Sequence, residues 1–524
     1  MTSGQSGPLA AAAADQAQQT PDDLSTLAKG VGVALVGRVL GRGLHLLGQV
    51  AIARLLDPVG YGMYALGWTI LRVAGFFTPL GLDNAVLHFG AKFRRYHVAR
   101  FKRLIVQGQR VAVLSGFLVG VLFYATAPFL AVDVFRNDEL LPIFRGLAAA
   151  FPFVSGLLVS AATTRVSQRL QFSVMAEDIG QPLILLLLLA LLVPLGLTLQ
   201  GVILALVLSF AGAFGLALYF IKRLFADVLS VHQAHDLSTG RLLLFSIPTA
   251  LSGVFFSLIF WADRLFMGYF RPLEEVGIYV AASQMALLFA VILSACNAAF
   301  APMIADLYHR NALDRMAVVF RTSTRWGLYI SLPLFITIWF YPAEILTAIF
   351  GHEYSGGGRA LQILTVGQFA NIGSGPLGYL LIMTGRQNIW LVVTGLAFLA
   401  NISLNLLLIP RLGLAGAALA TSGAIAALFL VGLFTVHRSL ALWPYDRRCL
   451  KGLAAAAATI VVLQAQQSLH IATPLPCFVL AAVLSFTAFW ATVLLLGLDA
   501  EDRMLIQMIK RRIAPTANRR AQKR

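Results

Sequence analysis

The chain has 524 residues, of which 59% are hydrophobic and only 12% charged, and its mean hydropathy is +0.80. A soluble domain carries about 25% charged residues, so this composition excludes one and indicates a polytopic membrane protein. The formal net charge of +17 would suggest nucleic acid in a soluble chain. Here it is read as basic residues that hold loops on the cytoplasmic side, and no nucleic-acid partner is expected.

Residues 1–28 are polar and rich in Ala, Gln and Ser. They read as a disordered cytoplasmic tail with no cleavable signal peptide. The apolar runs that follow, such as PLILLLLLALLVPLGL, are continuous and lack the alternation of barrel strands, so the fold expected is all-α.

The first span, 30–53, contains VGVALVGRVLGRGLHLLGQV, in which Arg38, Arg42, His45 and Gln49 recur at i, i+4, i+7 and i+11. That spacing puts them on one helix face. A guanidinium at the bilayer centre costs roughly 3 kcal/mol even on the mild insertion scale. The stripe is therefore expected to face a wet cavity or an anion, and the planar fork of arginine suits phosphate. Gly37, Gly41 and Gly48 flank it and should admit a neighbouring helix closely. Arg54 and Asp57 close the outer end of this span, and Arg72 lies in the middle of the second, 61–82, with no acid within a turn.

Spans at 105–131 and 141–163 carry Arg110 and Arg145 near their ends, where snorkelling is expected. The fifth, 174–194, opens with Glu177 and Asp178, read either as helix-start acids or as ion-coupling partners of the arginines, and Pro182 should kink it. After a sixth at 199–221, the seventh, 242–267, combines Pro248 with a mild polar stripe of Ser246, Thr249, Gly253 and Ser257. It ends in Asp263, a candidate coupling acid, and Arg264, placed with Arg54 at the outer mouth. Spans 276–302, 326–349, 359–383, 389–409 and 413–436 follow, then 450–469 and 475–497, giving about fourteen.

Charge asymmetry sets the orientation. Lys92, Arg94, Arg95, Arg100, Lys102 and Arg103 fill one loop, whereas the next holds Asp133, Asp138 and Glu139 against Arg136. Lys222, Arg223, Arg310, Arg315, Arg321, Arg438, Arg447, Arg448 and Lys451 fall on the first side, as does the tail. That side and both termini are expected to be cytoplasmic. The tail, 499–524, includes the amphipathic MLIQMIKRRI, expected to lie on anionic membrane lipid.

Cys296, Cys449 and Cys477 are scattered and form neither a disulfide framework nor a metal cluster. With no Walker loop, paired-His motif or Gly-x-Ser-x-Gly elbow, no catalytic residue, cofactor or metal is expected and the chain is not read as an enzyme.

Two halves echo each other. ARLLDPVGYGMYALG pairs with DRLFMGYFRPLEEVGIYVAAS, aligning Gly62 with Gly277 and Tyr64 with Tyr279. PLGLTLQGVILALVLS pairs with PRLGLAGAALATSGA, aligning Gly201, Leu204 and Ala205 with Gly416, Leu419 and Ala420, all at an offset of 215 positions. Span one then maps onto span seven and span six onto span twelve. This is a parallel pseudo-two-fold repeat with a path at its interface. The expected organisation is the tail 1–28, six-helix bundles at 29–223 and 241–437, two extra helices at 449–498 and the tail 499–524. The same offset places Gly253 and Ser257 opposite Arg38 and Arg42, so the cations are concentrated in the first bundle.

The segments GRVLGRGLHLLGQVAIARLLDPVGYGMYALG, TPLGLDNAVLHFGAKFRR, WADRLFMGYF, VGIYVAASQMA, APMIADLY, LIMTGRQN and NLLLIPRLGLAGAALAT together resemble Wzx-type polysaccharide (O-antigen) flippases of the multidrug/oligosaccharidyl-lipid/polysaccharide exporter superfamily, over residues 30–440. The resemblance implies a MATE-like V of two six-helix bundles around a central cavity, in the bacterial inner membrane. It also implies a substrate, an oligosaccharide on polyprenyl pyrophosphate moved to the periplasmic leaflet for O-antigen, capsule or exopolysaccharide, with polymerase and export machinery as partners. The sequence departs from relatives at His88, where many have a basic residue; histidine is only conditionally charged. The binding set expected is Arg38, Arg42, His45, Gln49, Arg54, Arg72 and Arg264, with Asp263, Glu177 and Asp178 for ion coupling. A lipid II flippase and a cation-coupled multidrug exporter are the alternatives. The exporter would want an acid in span one, which has none. A glycosyltransferase or polymerase is disfavoured by loops of about 20 residues at most.

Overall fold

The computed structural model describes residues 36–167, 169–193, 196, 198–231, 257–468 and 474–497. The features expected at Ser246, Pro248, Thr249 and Gly253, both tails, and the side chains of His88 and Cys296 lie outside the described residues. So does the segment 232–256, which includes most of the expected junction between bundles.

Every regular element described is helical. The chain divides between Val280 and Ala281 into two compact units. The first contains α1 (36–55), α2 (Pro58–Gly75), α3 (Leu82–Tyr96), α4 (Val98–Pro128), α5 (Leu140–Ala148), α6 (Phe151–Arg165) and α7 (Leu170–Ser173). α7 passes through a π-helical segment, Val174–Gly180, into α8 (Gln181–Leu192). Then come α9 (Leu199–Leu224), α10 (Ala226–Leu229), α11 (Ala262–Phe270) and the beginning of α12 (Leu273–Ala286). Its core clusters Leu82, Val86, Phe101, Leu104, Val159 and Phe225. The second unit contains α13 (Leu288–His309), α14 (Leu313–Phe340), α15 (Pro342–Ile349), α16 (Gly358–Gly373), α17 (Leu377–Met383), α18 (Gln387–Leu440), α19 (Cys449–Gln467) and α20 (Pro474–Leu495). It packs Ile304, Met316, Phe320, Leu377, Leu380 and Val436 together.

Seven helices among the described residues are long and apolar enough to cross a membrane, or nine if each of two bent pairs is one span. Their outward faces are apolar: Leu183, Leu187 and Leu191 of α8, at i, i+4 and i+8, are all exposed. So are Leu114, Phe117, Leu118, Val121 and Leu122 of α4. Continuous apolar surface of this kind suits hydrocarbon as the solvent and would associate in water. The chain is a multi-pass membrane protein.

The spans are less regular than hydropathy suggests. Residues 326–349 are not one straight helix: α14 ends at Phe340 and the chain bends by 91° into α15. Pro342 lies at the start of that new helix, where its missing N–H is tolerated. The segment 141–163 bends by 43° between α5 and α6, and 276–302 is interrupted at Leu287. Residues 359–383 are interrupted by Ser374-Gly375-Pro376, with Gly375 at φ 71°. The expected pair 389–409 and 413–436 forms one helical run, α18, broken at Gly413 (φ 55°, ψ −129°). A side chain would strain that backbone. The fifth span begins at Leu170, so Glu177 and Asp178 are not helix-start acids but lie in the π-helical segment.

Candidate substrate-binding site

α1 and α2 are joined by a tight turn. Asp57 caps α2 by accepting from the Gly60 N–H at 2.6 Å, and Pro58 occupies its first turn. Side chains then fix the antiparallel register. The Tyr61 hydroxyl donates to Gln49 Oε1 at 3.1 Å, and Gln49 Nε2 donates to the Tyr64 hydroxyl at 3.2 Å. One level further along, the His45 and Trp68 rings are 5.8 Å apart. Tyr61, Tyr64, Trp68 and Arg72 recur at i, i+3, i+7 and i+11, so α2 carries a stripe of its own facing that of α1. Continuing the register brings Arg72 level with Arg42.

The α1 stripe divides into two parts. Gln49 is buried (1% exposed) with its amide used by the two tyrosines, and His45 is half-buried against Trp68. Arg38 and Arg42 are exposed and make no hydrogen bond or ion pair with any described residue. Arg54 is exposed at the far end of α1.

On its other side α1 presses on the π-helical segment. A Cβ at Gly41 would collide with the backbone carbonyl of Asp178, and one at Gly37 would meet Val174. These glycines hold the helices close. The contact brings Arg38 and Arg42 into electrostatic reach of Asp178, which has no hydrogen-bond or ion-pair partner among the described residues. Its neighbour Glu177 is already engaged: Arg165 Nη2 lies 2.6 Å from Glu177 Oε2, and Arg165 Nε donates to Ser173 Oγ at 2.8 Å.

A second cation group surrounds Trp261, just before α11. The Arg264 guanidinium carbon is 4.3 Å from the Trp261 ring centroid, and that of Arg72 is 6.0 Å from it and 5.0 Å from Trp68. Arg264 is 1% exposed, so it sits in packed protein and not on an open rim. Such contacts contribute up to about 2 kcal/mol when desolvated, which offsets part of the dehydration of each cation. Asp263 accepts from the Tyr279 hydroxyl of α12 and, at 2.8 Å, from the Arg264 N–H. The Arg72 Nε and Trp68 Nε1 donors are buried without a hydrogen-bond partner among the described residues. A polar occupant that accepts hydrogen bonds would satisfy them.

The profile described as polysaccharide biosynthesis protein matches residues 27–308, just over half of the chain. The chain belongs to that family. Every residue of the expected binding set lies inside the matched stretch. A second profile, MatE, matches residues 248–407. A Shigella flexneri protein named "Putative O-antigen transporter" is 23% identical over 387 residues, covering 71% of this chain and 88% of that protein. A Haloferax volcanii protein named "Probable low-salt glycan biosynthesis flippase" is 24% identical over 178 residues. That match covers 34% of this chain and 37% of the relative, so the chain spans little more than a third of the relative's length. Among solved structures, lipid II flippase MurJ in an inward closed conformation superposes with a TM-score of 0.72 at 13% identity, over 87% of this chain and 97% of that one. An inward-facing MATE multidrug transporter gives 0.60 at 14% identity, over 78% and 94%. These likenesses are of fold, that of the MOP superfamily.

In this family member the sequence stripe picked out α1 but missed Tyr61, Tyr64 and Trp68, which meet it, and Arg165 and Trp261, which engage Glu177, Arg72 and Arg264. The α2 residues were legible by the same helical spacing that revealed α1. No local pattern connects Trp261 to Arg72; only the fold brings them together.

Proposed function

We propose that this family member is a flippase that moves a polyprenyl-pyrophosphate-linked oligosaccharide from the cytoplasmic to the periplasmic leaflet of the bacterial inner membrane. In this reading about fourteen spans form two six-helix bundles in parallel repeat, followed by two extra helices, with both termini cytoplasmic. The observation that carries it is the pair Arg38 and Arg42, exposed on α1 without a hydrogen-bond or ion-pair partner among the described residues, with Arg42 level with Arg72. With α1 read as the first span, cations without a protein partner there need a diffusible anion or water. A pyrophosphate supplies two adjacent anionic groups that arginine forks bind in pairs.

Asp178 is the resident counter-charge. It shares the field of Arg38 and Arg42 while the site is empty and competes with the pyrophosphate when it arrives. The site then binds firmly enough to load and weakly enough to release, as any transport site must. The sugars pass beside Trp68 and Trp261, where the orphaned donors of Trp68 and Arg72 meet hydroxyl acceptors.

The test is complementation of a deletion strain. Arg42→Ala should reach the membrane at normal levels yet accumulate polyprenyl-pyrophosphate oligosaccharide on the cytoplasmic leaflet. Normal export by this variant would sink the assignment. A lipid II flippase would use the same cations, and accumulation of lipid II in place of oligosaccharide lipid would identify that activity.

A further inference from the structure

The second unit contains a cavity of about 480 Å³ between α14, α16, α18 and α19. Its lining is apolar and includes Leu332, Phe369, Phe429, Leu430 and Leu453. Two tyrosine hydroxyls at its edge are already satisfied: Tyr445 donates to the Gly373 carbonyl at 2.9 Å and Tyr329 to the Arg448 carbonyl at 3.0 Å. The lining therefore favours hydrocarbon over water. Leu430 of α18 and Leu453 of α19 line the cavity and are also 66% and 62% exposed, so it opens outward between these two helices. Leu453 is four residues, about 6 Å, from the start of α19, which places the mouth near a membrane interface. Half-exposed Trp443 and Tyr445 lie in the adjoining loop, as interfacial aromatics do.

Two stripes lead from the mouth toward that interface. Leu430, Phe434 and Arg438 recur at i, i+4 and i+8 on α18, with the Arg438 guanidinium carbon 4.5 Å from the Phe434 ring centroid. Arg447, Leu450 and Leu453 recur at i, i+3 and i+6 through the turn that opens α19, where the Leu450 N–H donates to the Arg447 carbonyl. Each stripe is apolar below and cationic at its end. Arg438 and Arg447 are exposed, and neither side chain is paired with an acid among the described residues. Asp446, the acid of this loop, lies 3.8 Å from buried Arg325 and accepts from the Arg448 N–H at 3.1 Å.

We infer that this is a binding site for an anionic phospholipid, one acyl chain entering the cavity between α18 and α19 and the phosphate lying between Arg438 and Arg447. Chain and charge are then met together by one molecule, and basic pockets between membrane helices recognise anionic headgroups in this way. A bilayer phospholipid is favoured over the polyprenyl substrate because it is the solvent, present at saturating concentration. The arginines assigned to the pyrophosphate also belong to the other unit. The lipid would join α18 to the two appended helices.

Native mass spectrometry of the delipidated full chain tests this with phosphatidylglycerol, phosphatidylethanolamine of the same chains, and undecaprenyl phosphate as probes. Phosphatidylglycerol should be retained in preference to the zwitterionic lipid. Retention should weaken about thirtyfold in the R438A/R447A double variant and recover largely in R438K/R447K. Gly373→Leu provides a second arm: a Cβ there meets only ordinary contacts with Tyr445 and Leu328, so the side chain fills the cavity without breaking the helix, and retention should be lost at an unchanged melting temperature. Equal retention of the two phospholipids, or retention indifferent to both changes, overturns the site. Displacement of phosphatidylglycerol by equimolar undecaprenyl phosphate overturns the choice of occupant.

Discussion

Arg42 and Gln49 stand on the same face of α1, yet their surroundings give them different work. Gln49 links Tyr61 and Tyr64 with both ends of its amide, so Gln49→Leu removes one hydrogen bond from each of two buried hydroxyls. An unsatisfied buried polar group costs about 1–3 kcal/mol, and the purified variant should melt measurably lower. Arg42→Ala, on an exposed position, should melt as the parent does and lose export. Arg42→Lys should restore only part of it, since an ammonium is a point charge without the fork. At Asp178 the expected effect is on release. Asp178→Asn removes the competing carboxylate, so more lipid-linked oligosaccharide should co-purify with the protein while export slows. Unchanged co-purification would remove Asp178 from the site.

Between elements, the contact of α2 with α12 is made backbone to backbone. A Cβ at Gly62 would strike the Leu273 carbonyl, and one at Gly277 would strike the Pro58 carbonyl. The relation is reciprocal, and the two glycines are 215 positions apart, the offset at which the sequence echoes itself. Gly62→Val or Gly277→Val should destabilise by about 1–3 kcal/mol through overpacking. The double variant should cost less than the sum of the two, because both act at one contact; a thermal double-mutant cycle measures this. The π-helical segment against Gly41 is a different case. Hydropathy places a span near residue 174 but is blind to an extra residue per turn, and such bulges concentrate at functional sites.

For the whole molecule, the proposed cargo is anionic and moves outward. With the inside negative, two elementary charges gain about 5 kcal/mol across 100 mV. Flipping reconstituted in proteoliposomes should therefore accelerate when a potential of that polarity is imposed and slow when an ionophore collapses it. Indifference to the potential would mean that a co-moving cation cancels the charge.

The all-helical membrane fold was determined by sequence alone, because in hydrocarbon each backbone group must be satisfied within its own helix and long apolar runs leave no other solution. The arginine stripe was legible for a similar reason: helical period fixes which residues share a face before any packing occurs. What that face does was decided by tertiary structure. The tyrosines of α2 claimed Gln49, the close approach at Gly41 brought the Asp178 carboxylate beside Arg38 and Arg42, and Trp261 came from a distant segment to lie beside both Arg72 and Arg264. Periodicity assigns direction around one helix axis. Burial, pairing and partner choice depend on the neighbouring helices, which only the folded chain supplies.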